Sequence, residues 1–533
     1  MEYVQVRINE DGTLRNQRFA FSDRFTLITE LLQNGRRAGA TLIEISHDPV
    51  SQTLRVIDDG HGIEDFSKLL TFNESGWDEA LQAEEHPFGA GFSRCLYAST
   101  RGIVTSRGKR IDFDTASALS KAPIGVEEVG DERSAGTRIE LHGVDLPDLA
   151  SRIEELCKGF PVPIEFNGRP VPRTHALTEL RPLSTPVGDI HLIGTHSGRF
   201  ATGIVAYLQG FRVMTLPNYV IYDEAPNVVH LDSQAFLARL PDRDKLIDAD
   251  VQELKIREQV RMAWREALAH RKAQLASAEF VEDFYGVMRF HRHLDLLNDA
   301  AALPRQLCEL AADYPVQSRS PYGSYLKQPA MPLRRAQVEE GQVKLVKLDW
   351  VDGTNSAKWM LARAKGYVVL TGDQLDDGHW VHPYVMDLNE QAVEVTVTNQ
   401  RVDSSIETDW ISAEVILCDE VSVRIGDDTV TLTDEGLYHD GRFYIPNGEH
   451  SGRVVRQCAS YVDGNDRLYE SDRDADMASL EHLIRRLRMT DPVEAMRSLL
   501  RDLQSNRYPC LHGQTFQVRI EQEADEHSVE LIV

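Results

Sequence analysis

From Thr26 to His142 the chain sets one amphipathic helix against short β-branched runs, several of which end at glycine. The helix is "TLITELLQNGRRAGA", in which Leu27, Leu31 and Ala38 fall on one apolar stripe at helical spacing. Strand-like "TLIEISHD", "TLRVID", "GIVTSRG" and "TRIELHG" accompany it, with a helical "FSRCLYAST" among them. This alternation of periods calls for layered α/β packing. One detail disturbs the helical stripe. Its middle position is Asn34, with Glu30 one turn before it, so the face carries a carboxylate and an amide at i and i+4.

Three further segments have the same double aspect. In "RVIDDGHGI" a β-branched run ends in Asp58, and Gly60 and Gly62 then allow a tight turn that brings backbone close to whatever Asp58 faces. A carboxylate there can accept from an amino group such as adenine's, although D-x-G-x-G alone is more often a plain turn. "HPFGAGFSRCLYAS" sets Gly89 and Gly91 before a helix whose first N–H groups lack internal partners, which suits a phosphate as well as it suits a flexible loop. "AGTRIELHG", where Thr137 opens a strand, says nothing by itself.

Taken in order, E-x-x-x-N helix, D-x-G-x-G strand end, glycine loop and G-T strand resemble the four ATP-site motifs of the GHKL superfamily, which includes gyrase, the ninety-kilodalton heat-shock chaperone, histidine kinases, MutL and MORC-type ATPases. "FGAGFSRCLYAS" and "AGTRIELHG" are most similar to the chaperone, and "ELLQNGRRAGA" to MutL. The resemblance covers about residues 1–175. It implies a Bergerat-type α/β sandwich that binds ATP with Mg²⁺. Asn34 would supply an oxygen to the metal, and Glu30 would orient or deprotonate the water attacking the γ-phosphate. Asp58 would hold the adenine amino group, assisted by Thr137 through water, with Gly60 and Gly62 lining the base pocket. The backbone of Gly89, Ala90, Gly91 and Phe92 would cradle phosphates, and the segment from Phe66 to Glu85 would be a lid carrying Asn73 as a ligand contact. The family's usual Asp before the helix alanine is Arg37 here, a cation expected to weaken Glu30 as a base.

With 533 residues, and about 100–200 per domain, the chain should hold several domains. We expect an ATP-binding domain over 1–175 and a smaller transducer-like α/β domain over 176–275, ending in a helix that carries Val251, Leu254, Val260, Trp264 and Leu268. A helical segment and Pro/Ser/Gly-rich linker (276–344), a β-rich module (345–465), and a helical pair with a terminal strand (466–533) would follow. Asn167-Gly168 and Asp440-Gly441 read as hairpin turns. Asp491-Pro492 with Glu494 reads as a helix start, and Val493, Met496, Leu500 and Leu503 as that helix's apolar face. Arg239, Arg243 and Lys245 are basic candidates for reaching the nucleotide, against a plain solvated cluster. His291 and His293, two apart on a helical pattern, would point away from each other and are read as surface.

Six dispersed cysteines without a C-x-x-C pair favour buried thiols in a reducing compartment. No apolar run approaches the ~18 residues of a spanning helix and the start lacks a signal pattern, so a cytoplasmic protein without membrane contact is expected. A formal charge of −26 opposes loose attraction to nucleic acid. The function these readings imply is an ATP-hydrolysing conformational switch, chaperone-like or a DNA-linked clamp, that closes as a homodimer on nucleotide around a client protein or DNA. "MEYVQVRINEDG" would be a leading strand used in that closure. A non-catalytic nucleotide-sensing scaffold is the alternative, and a protein histidine kinase a remoter one, because kinases place the ATP domain after a phosphoacceptor helix pair.

Overall fold

The computed structural model describes residues 4–5, 9, 11–12, 14, 25–71, 92–130, 136–217, 225–239, 244–311, 326–349, 354–371, 375–448, 450–465, 467–502, 508–521 and 527–532. The leading strand expected over residues 1–12 falls largely outside them. The chain is mixed α/β, with several sheets and helices, and no described helix is long and apolar enough to cross a membrane. It divides into two compact units, Met1–Ala276 with Asp283–His293, and Ser277–Glu282 with Leu294–Val533.

In the first unit an eight-stranded sheet has the spatial order β5-β4-β3-β6-β2-β1-β7-β8. The strands are β1 (Ile43–Asp48), β2 (Thr53–Asp58), β3 (Arg101–Ser106), β4 (Lys109–Asp114), β5 (Val126–Glu128), β6 (Thr137–His142), β7 (Ile164–Phe166) and β8 (Arg169–Pro170). Their pairing is antiparallel except between β1 and β7. Side chains alternate by two, so Ile45, Leu54, Val56, Val104, Ile139 and Leu141 share the buried face. Helices α1 (Thr26–Arg37), α2 (Ser93–Ala98) and α3 (Leu149–Cys157) supply Leu27, Ile28, Leu31, Leu32, Cys95, Leu96 and Ile153 to the same core. The other face carries ion pairs such as Arg55–Glu140 and Arg101–Asp112. Asn167-Gly168 closes the β7–β8 hairpin with φ of +48° and +75°, as two-residue turns of the left-handed type require.

A second, five-stranded sheet of this unit has the order β12-β11-β13-β10-β9. Its strands are β9 (Leu183–Thr185), β10 (Gly188–His191), β11 (Ile204–Leu208), β12 (Phe211–Leu216) and β13 (Asn227–Leu231). Helix α4 (Ala249–Gln274) follows. Its buried residues are Ile256, Val260, Ala263, Trp264 and Leu268, whereas Val251 and Leu254, assigned to the stripe from sequence, are exposed. The stripe therefore starts one turn later. His291 and His293, read as surface, are buried instead. The preceding helix, α5 (Ser277–Phe290), ends just before them and Arg292 takes φ +57°, so the helical spacing argument does not apply. His291 stacks on Trp264 at 5.6 Å, and His293 donates from Nε2 to the Arg261 carbonyl at 2.8 Å.

The second unit contains a five-stranded sheet with a helix Ser356–Lys365, then a three-stranded sheet (Val393–Thr398, Glu420–Ile425, Asp428–Leu432) and a four-stranded one (Val402–Glu407, Ser412–Leu417, Arg442–Ile445, Leu437–His439). Asp440-Gly441 forms the expected turn, with φ of +50° and +75°. Helices Glu470–Arg488 and Pro492–Asp502 and a terminal hairpin, Thr515–Arg519 with Ser528–Ile532, complete the chain. Asp491 Oδ1 accepts from the Val493 N–H at 2.9 Å, as its sequence implied. The face expected to bury is not covered: Val493 and Leu500 are exposed, and Leu503 lies outside the described residues. Among the cysteines Cys95, Cys157, Cys308 and Cys418 are buried, Cys458 is half-buried and Cys510 is exposed, which corrects the expectation for the last.

Candidate functional site

Period two along β2 places Asp58 on the face of Leu54 and Val56, the side covered by the helices. Antiparallel register sets Asp58 opposite Thr137 and Thr137 opposite Ser106. Three polar residues from three neighbouring strands thus form a row at one end of the sheet, at the margin of an otherwise apolar face. Thr137 and Ser106 are 7% and 1% exposed, so each must find hydrogen bonds inside the protein.

The turn after β2 supplies one to Ser106, whose Oγ lies 3.4 Å from Thr137 Oγ1. Asp58 Oδ1 accepts from the Gly60 N–H at 3.0 Å, and the His61 N–H donates to the Ala38 carbonyl at 2.9 Å, which ties the turn to the end of α1. A side chain at Gly60 would lie 2.6 Å from Ala38 Cβ. Just past Gly62, the Ile63 N–H donates to Ser106 Oγ at 2.9 Å, and Ser106 in turn donates to the Gly136 carbonyl at 2.7 Å. Gly136 itself takes φ +100°, and a Cβ there would sit 2.2 Å from the Asp58 carbonyl oxygen. Only glycine fits that approach.

Helix α1 packs on β1 and on the Asp58 end of this row. A Cβ on Gly35 would lie 2.8 Å from Ile43 Cδ1 and 3.4 Å from Asp58 Cβ, so the helix packs against the strand end at the residue following Asn34. Glu30 is 8% exposed and Asn34 half-buried, so Glu30 is not a solvated residue of an outer helix edge. Burial pushes the Asp58 carboxyl above the usual range, with the charge of Asp59 adding to it and the Gly60 and Thr137 N–H groups opposing it. Asp59 behaves differently. Burial works against its charge too, but the Thr41 hydroxyl and the Leu42 and Thr41 N–H groups outweigh that and hold it low. Asp59 is therefore a turn-forming residue, and Asp58 a carboxylate whose burial a hydrogen-bond donor would relieve.

On the opposite side, α1 meets α2. Burial pushes the Cys95 thiol up, Glu30 raises it further, and Arg94 pulls it down, so both charges lie within electrostatic reach of Cys95. Arg37, named from sequence as the cation beside Glu30, is two helical turns away, about 10 Å of rise. Buried Arg94, 4% exposed, is a second cation beside the α1–α2 contact, and the sequence reading passed over it. Ser106 and Gly35 were also missed. Ser106 has a signal in hindsight, since it stands two residues after Val104 at the end of a strand closed by Arg107-Gly108.

Phe92 is buried in the core as the residue before α2. Asn73, Gly89, Ala90 and Gly91, with most of the expected lid, lie outside the described residues, as does Arg243. Arg239 pairs with Asp244 at 3.3 Å with both side chains at least half exposed, a pair of little energetic weight. Lys245 lines a groove of about 280 Å³ along β12 together with Arg212, Asp244 and Glu253. Among the described residues no three His, Cys, Asp or Glu side chains gather as a metal-holding group. No protein-family model matches the chain, and no curated protein matches it.

Proposed function

We propose that the first unit binds ATP with Mg²⁺ at the end of the eight-stranded sheet, under α1, and that the protein is a GHKL-type ATPase switch. The observation that carries this reading is the cross-strand row Asp58–Thr137–Ser106, against whose Asp58 end the helix that bears Glu30 and Asn34 packs at Gly35. The four ordered sequence motifs and the helix-covered sheet support the same Bergerat-type arrangement. Asp58 accepts from the adenine amino group, and this donor offsets part of the cost of burying its charge. Thr137 assists through its hydroxyl, and Gly60 and Gly62 keep the wall of the base pocket free of side chains. The Gly89–Phe92 backbone would cradle the phosphates, as the glycine-loop motif implies.

The donors present suit a hard divalent ion. Asn34 offers a half-buried amide oxygen, and phosphate and water oxygens complete the set that Mg²⁺ prefers. When bound, the ion neutralises phosphate charge. Glu30 holds and orients the attacking water. ATP favours the closed state by contacts that the open state lacks, and two chains close as a homodimer on a client.

Asp58→Asn tests the reading because it removes the carboxylate while preserving shape. Calorimetry should detect ATP binding to the parent and none to the variant. The variant should melt no lower than the parent at neutral pH, since a neutral amide avoids the burial cost that raises the Asp58 pKa. Equal affinity in the two proteins would remove Asp58 from the site.

A further inference from the structure

Gln33 is 1% exposed and lies on α1 between Glu30 and Asn34 in position, three residues after one and one before the other. Its neighbours on the buried side, Leu32 and Ile28, are fully apolar. An amide is costly there, and more so because its Oε1 has no hydrogen-bond partner among the described residues. Its Nε2 donates to Gln209 Oε1 at 2.6 Å. Gln209 stands at the tip of the β11–β12 hairpin of the second sheet, with φ +53°. That tip is seated firmly. Phe211, the first residue of β12, is 5% exposed in the core of the first sheet, with its ring 5.2 Å from Phe160. A Cβ on Gly210 would be 2.7 Å from Pro161 Cδ. The second sheet therefore holds the helix of Glu30 and Asn34 by a polar contact, Gln33 to Gln209, beside an apolar anchor. Leucine at position 33 would fill the site without a half-satisfied amide, so stability alone does not account for the glutamine.

We propose that the Gln33–Gln209 hydrogen bond is a positioning contact, through which the second sheet sets the placement of α1 and hence the rate of ATP hydrolysis rather than ATP affinity. This rests on the nucleotide reading above. Gln33 acts through Glu30. A helix moves as a unit, so displacement at Gln33 carries both the Glu30 carboxylate and the Asn34 amide. The metal's other oxygens, from phosphate and water, adjust to a shift of Asn34, whereas small misplacements of the group that orients the attacking water cost rate steeply.

The test uses two changes at the hairpin tip in the full chain. Gln209→Glu keeps an acceptor for Gln33, while Gln209→Lys keeps an unbranched polar side chain, one atom longer, and removes the acceptor. Single-turnover hydrolysis should fall about 10- to 100-fold in Gln209→Lys, with the calorimetric Kd for ATP–Mg²⁺ within about twofold of the parent, the size of a minor energetic change. Amide hydrogen exchange over residues 26–37 should quicken in the same variant without nucleotide. Gln209→Glu should keep the parent rate and exchange pattern. The proposal is overturned if Gln209→Lys hydrolyses at the parent rate, or if Gln209→Glu is impaired equally, since packing rather than the hydrogen bond would then be responsible. A parent chain that does not hydrolyse ATP also overturns it, and whether that parent still binds ATP decides the nucleotide reading separately.

Discussion

Replacing Gly136 by alanine perturbs the row from its backbone. The new Cβ would stand 2.2 Å from the Asp58 carbonyl oxygen, where separations under 3.0 Å do not occur, so β2 and β6 must part by at least about 0.8 Å at this rung. Alanine must also hold φ near +100°, which costs about 1–3 kcal/mol by itself. Adding the clash gives a loss of about 2–4 kcal/mol. For a unit of this size each kcal/mol moves the melting temperature by about 2–4 °C, so Gly136→Ala should melt about 4–16 °C lower. Gly125→Ala is the control, because nothing lies within 4 Å of its added methyl group and its φ is not in the left-handed range; it should stay within about 0.5 kcal/mol. Denaturant and thermal melts of the three proteins measure the difference, and calorimetry should find weaker ATP binding in Gly136→Ala as Asp58 is displaced. If Gly136→Ala melts with the parent, the strand ends are not held together as described, and the alignment of Asp58 with Thr137 loses its support.

Glu30→Ala should retain ATP binding and lose about 10²- to 10⁴-fold in single-turnover hydrolysis, the usual cost of a missing general base; a parent-like rate would make Glu30 structural and favour the nucleotide-sensing scaffold. Burial, with His293 and Arg261 adding positive charge nearby, pushes His291 down to about 3 from 6.5. Because the unfolded chain then binds the extra proton, the stability this histidine contributes is complete above about pH 6.5 and is lost as pH falls toward 3, by about 3 kcal/mol at pH 4. Urea melts from pH 7 to 4 should show a flatter profile in His291→Phe, and identical slopes would mean that the imidazole is protonated in the folded state. A non-hydrolysable ATP analogue should make the chain more compact and more dimeric in small-angle and light scattering, less so without residues 1–10, and unchanged mass and radius would refute nucleotide-driven closure.

Local chemistry was legible in the chain where its cause is local. Period-two burial in β2, the left-handed hairpins at Asn167-Gly168 and Asp440-Gly441, and the Asp491 helix start depend on residues within a few positions of each other, and the structure has each of them. The α1 stripe broken at Asn34 is local too, and Glu30 one turn before it is buried rather than a solvated edge residue. Other assignments required distant partners. Val251 and Leu254 follow helical spacing as well as Ile256 and Val260 do, and only what packs against α4 selects the buried set. The histidines 291 and 293 look solvated until the helix ends at Phe290 and the chain, with Arg292 left-handed, sets them against Trp264 and Arg261.

By itself the sequence determined which residues carry the candidate chemistry, Glu30, Asn34, Asp58 and Thr137, because hydrogen-bonding capacity and charge belong to the side chain wherever it is placed. Tertiary structure alone decided what surrounds them. Strand register makes Asp58 the neighbour of Thr137 and Ser106, the glycines at 35 and 136 set how closely helix and strands approach, and a hairpin 176 residues along the chain meets Gln33. Register, close approach and long-range contact are properties of the packed core, where many apolar side chains must fit at once, and no short stretch of sequence specifies that fit.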